Sequence, residues 1–165
     1  MRYKNFLQTR SFAAVAVLVA SLLGCRKNAT APPETVGNGI TSIRNTADIP
    51  SACKVAFARA SGEGQFRMAD PGEKYQVTDV VREEGLPWRR LMFSVVKNKR
   101  CAIAYEKGGI ARLTYAVVFD TSTDPATVVW GGSRIQMNDI AGLSEKLEAP
   151  RQKSPDAAPD PSSIP

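Results

Sequence analysis

The clearest alternation of apolar and polar positions falls on residues 49–60, where Ile49, Ala52, Cys53, Ala56, Phe57 and Ala60 recur at steps of three and four. Ser51, Lys54 and Arg59 fill the other side, so the period predicts an amphipathic helix. Asp48 stands where a cap belongs, Pro50 suits the first turn, and Ser61, Gly62 and Gly64 end the pattern. From 90 to 130 the pattern changes to β-branched and aromatic runs broken by turn residues, predicting strands at 90–96, 101–106, 110–121 and 127–130. A second helix is expected near 138–147, with Asn138 as cap and Met137, Ile140, Leu143 and Leu147 facing inward. Between these blocks, Tyr75, Val77, Thr78, Val80 and Val81 favour a strand over 75–81, although Asp70, Pro71 and Glu73 also suit a helix start and Gly85 a stop. Strand is the expectation there.

Side-chain facing predicts the register. A three-residue loop at Lys107, Gly108 and Gly109 sets Tyr105 opposite Ala111, Ile103 opposite Leu113 and Cys101 opposite Tyr115, with Val117 and Phe119 continuing the same face. A two-residue Gly108-Gly109 turn would mix the faces, because a slip of one residue turns every side chain over. Likewise a loop over 97–99 sets Leu91, Phe93 and Val95 against Tyr105, Ile103 and Cys101. The expected fold class is α+β: an N-terminal helix on an antiparallel meander of four to five strands, then a short C-terminal helix. This layout is broadly similar to cystatin-like folds, a likeness that carries no function with it.

Composition divides the chain. Residues 25–47 are polar, with Pro32, Pro33, Gly37 and Gly39, and read as a flexible linker. Residues 149–165 hold five prolines among small polar residues and lack the apolar surface that offsets ordering entropy, so a disordered tail is expected. The domain is then 48–148, without an internal repeat.

The N-terminus carries the most specific signal. Arg2, Lys4 and Arg10 precede an apolar stretch over 11–23, and Leu22, Leu23, Gly24 and Cys25 close it. The stretch is shorter than the roughly 20 apolar residues a membrane-spanning helix needs. The arrangement resembles the signal peptide and lipobox of bacterial lipoproteins. That resemblance implies removal of residues 1–24, diacylation of Cys25, and attachment to a membrane through that lipid. Arg26 stands where an aspartate would favour the inner membrane, so the family's sorting rule implies the periplasmic side of the outer membrane of a Gram-negative cell.

Processing also changes the charge. The precursor is +6, but the 25–165 chain keeps 19 basic against 16 acidic residues, too mild a balance for a nucleic-acid partner. Arg82, Arg89, Arg90, Lys97, Lys99, Arg100, Lys107 and Arg112 nevertheless crowd into one stretch, either as solvated hairpin charge or as a surface for an acidic protein or anionic envelope polymer. With Cys25 lipidated, Cys53 and Cys101 remain, an even pair that an oxidising compartment would join. Their spacing is unlike that of a reactive C-x-x-C pair.

Catalytic and metal motifs are scarce. The chain contains no histidine, which removes the commonest general base and metal ligand, so no enzyme, cofactor or metal is expected. Asp120, Ser122 and Asp124 imitate the start of a calcium loop, but Pro125 and Gly131 occupy positions that need glycine and glutamate, so residues 121–125 read as a turn. Glu83 and Glu84 read as solvated carboxylates, and phosphate-loop and dinucleotide fingerprints are absent. What remains is Pro87, Trp88, Arg89 and Arg90, an aromatic beside two arginines, the composition of a protein-binding hot spot. Trp130, beside Gly131 and Gly132, reads as core. The expected function is a lipid-anchored periplasmic binding protein of the immunity or inhibitor type, acting on an envelope-targeting protein. The alternative is an accessory or assembly lipoprotein of an outer-membrane or secretion complex.

Overall fold

The computed structural model describes residues 31–81, 83–136 and 139–149. Residues 1–30, which include Cys25, lie outside the described residues, as do Met137, Asn138 and the segment 150–165. Six strands form one antiparallel sheet in chain order: β1 (Glu34–Thr35), β2 (Thr41–Ile43), β3 (Arg89–Lys97), β4 (Arg100–Lys107), β5 (Leu113–Asp120) and β6 (Thr127–Ser133). Helix α1 (Ser51–Ala60) joins β2 to the loop before β3, and α2 (Ile140–Glu148) follows β6. The α+β class holds, with two more strands than the four read between 90 and 130. The extra pair comes from the stretch expected as linker, where Ile40 and Ile43 are buried and β2 pairs with β3.

Both faces of the sheet are covered. Cys53, Ala56, Phe57 and Ala60 of α1 pack with Leu91, Ile103, Tyr105, Val117 and Phe119 on one side. On the other, Leu143 and Leu147 of α2 pack with Phe93, Val95, Ala102, Ala104 and Val118. Strand β4 is central and alternates large residues toward α1 with alanines toward α2, which leaves room for the leucines of the second helix. Phe57 is fully buried, and its ring meets those of Tyr105 and Phe119 edge-on at 5.2 and 6.4 Å. The expected disulfide joins Cys53 to Cys101, fastening α1 to β4 across 48 residues of chain.

Several expectations are corrected. Asp48 does not cap α1: it ends a 3-10 turn over Thr46–Asp48 whose cap is Asn45, and Pro50, extended, holds the first position before the helix. Ala52 is exposed and Ala58 buried, so the apolar face of α1 is rotated slightly from the one expected. Residues 75–81 form neither strand nor helix. Asp70, read as a possible helix start, instead accepts a bond from the Thr46 N–H at 2.6 Å.

The registers also differ. Lys97 pairs with Arg100, so β3 and β4 join through a two-residue turn in which Asn98 takes a left-handed conformation, φ 54°. Leu91 does oppose Tyr105, but a bulge between Leu91 and Phe93 turns Phe93 and Val95 onto the α2 face, opposite Ala104 and Ala102 rather than Ile103 and Cys101. Between β4 and β5, Tyr105 opposes Tyr115, Ile103 opposes Val117 and Cys101 opposes Phe119, a shift of four residues from the expected pairs. Four is even, so the faces survive the shift. The connection is longer because its backbone binds a neighbouring loop instead of closing on itself. In α2, Leu143 and Leu147 are buried and Ile140 packs beside them, as expected.

Candidate binding surface

The loop over 61–88 is laced along the end of the sheet where β3 begins, β4 ends and β5 begins. Ala69 donates to the Arg89 carbonyl at 2.9 Å and accepts from Leu91 N–H at 2.9 Å. Gln76 N–H reaches the Pro87 carbonyl at 2.9 Å, Gly108 N–H the Trp88 carbonyl at 3.1 Å, and Gly109 N–H the Val77 carbonyl at 3.2 Å. The β4–β5 connection over 108–112 is therefore held by the 75–88 loop. Gly108 is needed for this contact, since a Cβ there would stand 1.7 Å from the Gln76 carbonyl oxygen. Gly108→Ala is expected to cost about 1–3 kcal/mol through overpacking. Amide exchange should show the loss as faster exchange at Gly109 and Gln76, with the α2 face unchanged.

Two salt-bridged clusters shape this end. Arg89 is only 4% exposed; its guanidinium pairs with Glu63 and lies 5.7 Å from the Phe57 ring centre and 5.9 Å from that of Tyr105. Arg90 donates to one oxygen of Glu106 at 2.9 Å through Nε and 2.5 Å through Nη2, and stacks 4.6 Å over the Tyr75 ring. Arg112 donates to the other Glu106 oxygen through Nε at 3.0 Å and through Nη2. The Glu106 carboxylate is thus buried between two guanidiniums, each directing two N–H groups onto one of its oxygens.

Burial opposes ionisation of Glu106, but the hydrogen bonds from Arg112 and Arg90, with their charge, outweigh it and hold the carboxyl below its ordinary value. A depressed carboxyl contributes stability that is present above the unfolded value of about 4.3 and is lost as pH falls through the folded value. The expected result is a stability that holds from neutral pH to about 5 and falls in more acid solution. In Glu106→Gln, denaturant titrations across the same range should show a shallower fall.

The four residues expected to dock a partner are adjacent but do not form one open patch. Arg89 is buried in the α1 core, and Arg90 is held by Glu106 and Tyr75. Pro87 and Trp88 are half-exposed at the margin. At the opposite end of the sheet, Lys97 pairs with Glu148, and Arg100 donates to the carbonyls of Leu147 and Ala149 at the end of α2. Such placement suits the negative end of a helix. The basic stretch is therefore largely paired within the fold rather than presented as one field. Trp130, expected in the core, is half-buried at its edge, with its ring over Gly132 and 5.8 Å from the Lys146 ammonium.

Among the described residues, several large aliphatic side chains of the 77–81 and 110–113 segments stay in solvent beside the exposed charges of this end. Ile110 is 96% exposed, Val80 65%, Val81 56%, Val77 47% and Leu113 42%. An open groove of about 600 Å³ runs beside Val77, along Lys74, Tyr75, Gln76, Leu86 and Arg90. Sequence reasoning starts the strand at Ile110, whereas β5 begins at Leu113, and it gives Glu63, Tyr75 and Glu106 no part in this end. The available signal was an isoleucine directly behind Gly108-Gly109, an apolar residue where a turn needs none.

Asp120 Oδ1 accepts from the Ser122 N–H at 2.9 Å and from its hydroxyl, closing the turn that had imitated a calcium loop. Glu83 and Glu84 are exposed. Among the described residues no helix is long and apolar enough to cross a membrane. Comparison with known proteins finds no matching family model, no matching curated protein and no matching solved structure.

Proposed function

We propose that the protein is a lipid-anchored periplasmic binding protein of the immunity or inhibitor type, held at the outer membrane through Cys25 and acting on an envelope-targeting protein. The location rests on the basic, apolar and lipobox order of residues 2–25. The observation that carries binding is the group of exposed aliphatic side chains on the 75–81 and 108–113 segments. Exposed apolar patches of this kind mark interaction surfaces. Pro87 and Trp88 lie at its margin, while Arg89 and Arg90 serve it by fixing the loop. A broadly cystatin-like layout of α1 across the meander belongs to the same proposal and carries no weight for function.

Affinity purification of the tethered chain from envelopes tests the reading. The expected result is one saturable protein partner whose own activity falls when the purified domain is added. Recovery of a multi-protein envelope machine, with no activity suppressed, would favour the assembly role instead.

A further inference from the structure

We infer that Ile110 is the central contact of the binding surface, and that it enters an apolar cleft on the partner protein bordered by a carboxylate facing Arg112 and a basic group facing the 79–84 arc. This rests on the binding reading above and names the chemistry of its partner. Among the described residues Ile110 is the most exposed of the large apolar side chains, and the exposed Val77 and Leu113 belong to the segment bonded to its loop and to the strand that follows it. The loop is fixed in advance: Gly109 N–H is bonded to the Val77 carbonyl, Gly108 N–H to the Trp88 carbonyl, and Arg112 to Glu106. A fixed loop loses little entropy on binding, which favours a small apolar contact.

Charge argues for a protein rather than a lipid surface. Residues 72–84 hold Glu73, Asp79, Glu83 and Glu84 against Lys74 and Arg82, a net charge of −2. An anionic membrane would repel that arc. Arg90 and Arg112 share the single carboxylate of Glu106, which leaves one excess positive charge. The Arg112 side chain is 57% exposed and carries that charge to the surface beside Ile110. Exposed aliphatic side chains and charges of both signs thus share the 72–84 and 108–113 segments, a mixture that suits a protein partner of complementary charge.

The test places a photo-crosslinking benzophenone amino acid at position 110, or at position 55 on the exposed side of α1, in the full chain in its native envelope. The protein joined at 110 is identified, purified and titrated with the wild type, Ile110→Asp, Arg112→Gln and Val55→Asp. The expected result is a protein adduct from 110 alone, a tenfold or greater loss of affinity in Ile110→Asp, a smaller loss with weaker salt dependence in Arg112→Gln, and no change in Val55→Asp. An adduct from 55 and none from 110 would overturn this inference while leaving the binding reading intact. Adducts from neither position would overturn both. Adducts to lipid alone at 110, or unchanged affinity in folded Ile110→Asp, would remove Ile110 from the interface.

Discussion

Replacing Cys53 and Cys101 together by alanine is expected to lower the unfolding free energy by about 4 kcal/mol, the chain-entropy value for a closed loop of 48 residues. Against a typical domain stability of about 5–15 kcal/mol, that loss brings the fold near its limit. The effect should be large here because the bond joins elements distant in the chain. It fixes α1 over the central strand β4, and both sulfurs lie in the core that also holds Phe57 and Tyr105. Urea titration of the oxidised wild type, the reduced wild type and the double variant separates the cross-link from the packing of the thiols. Reduction alone should account for most of the loss. Equal stability of the oxidised and reduced wild type would mean that helix and sheet hold together without the bond.

Arg89→Ala is expected to cost about 3–5 kcal/mol, the range for removing one partner of a buried ion pair. The substitution leaves Glu63 without its guanidinium, and one Glu63 oxygen is already buried without a hydrogen-bond partner. It also opens the space between the Phe57 and Tyr105 rings. A double variant, Arg89→Met with Glu63→Gln, should recover a substantial part of the loss, because it removes the stranded charge and refills the space. The coupling between the two sites, read from a double-mutant cycle, should exceed about 1 kcal/mol. A cost below about 1 kcal/mol for Arg89→Ala would instead return Arg89 to solvent, as a surface pair is worth no more than that.

The parts of the fold legible in the sequence are those with a strong local period. The repeat of Cys53, Ala56, Phe57 and Ala60 announces α1, and the β-branched runs from Leu91 to Val129 announce four strands. The two-residue spacing of Tyr105, Ile103 and Cys101 identifies the face that meets the helix, and with it the disulfide. Register was less legible because distant chain decides it. The 108–112 connection takes its backbone partners from Val77 and Trp88, and the bulge near Met92 leaves no mark in the alternation. Strand β2 has three residues, too few to display a period of two.

The 75–81 segment was misread for a related reason. Tyr75 is buried against the Arg90 guanidinium, not against a neighbouring strand, so its strand propensity reflects a different environment. The binding surface suffered most. Arginines beside an aromatic suggest a hot spot only while they remain free, and Glu63 and Glu106, 26 and 16 residues away along the chain, occupy them. The signal of Ile110 is masked in the sequence, because an apolar residue next to a strand reads as strand.

The central claim is that this domain works from a lipid anchor, and the most direct measurement is the intact mass of the native protein extracted from envelopes in detergent. The account predicts a chain of residues 25–165 carrying the mass of a diacylglyceryl group on Cys25, and a Cys25→Ser protein that is neither lipidated nor retained with the membrane. An unmodified Cys25, or a Cys25→Ser protein that remains equally processed and membrane-bound, would contradict it.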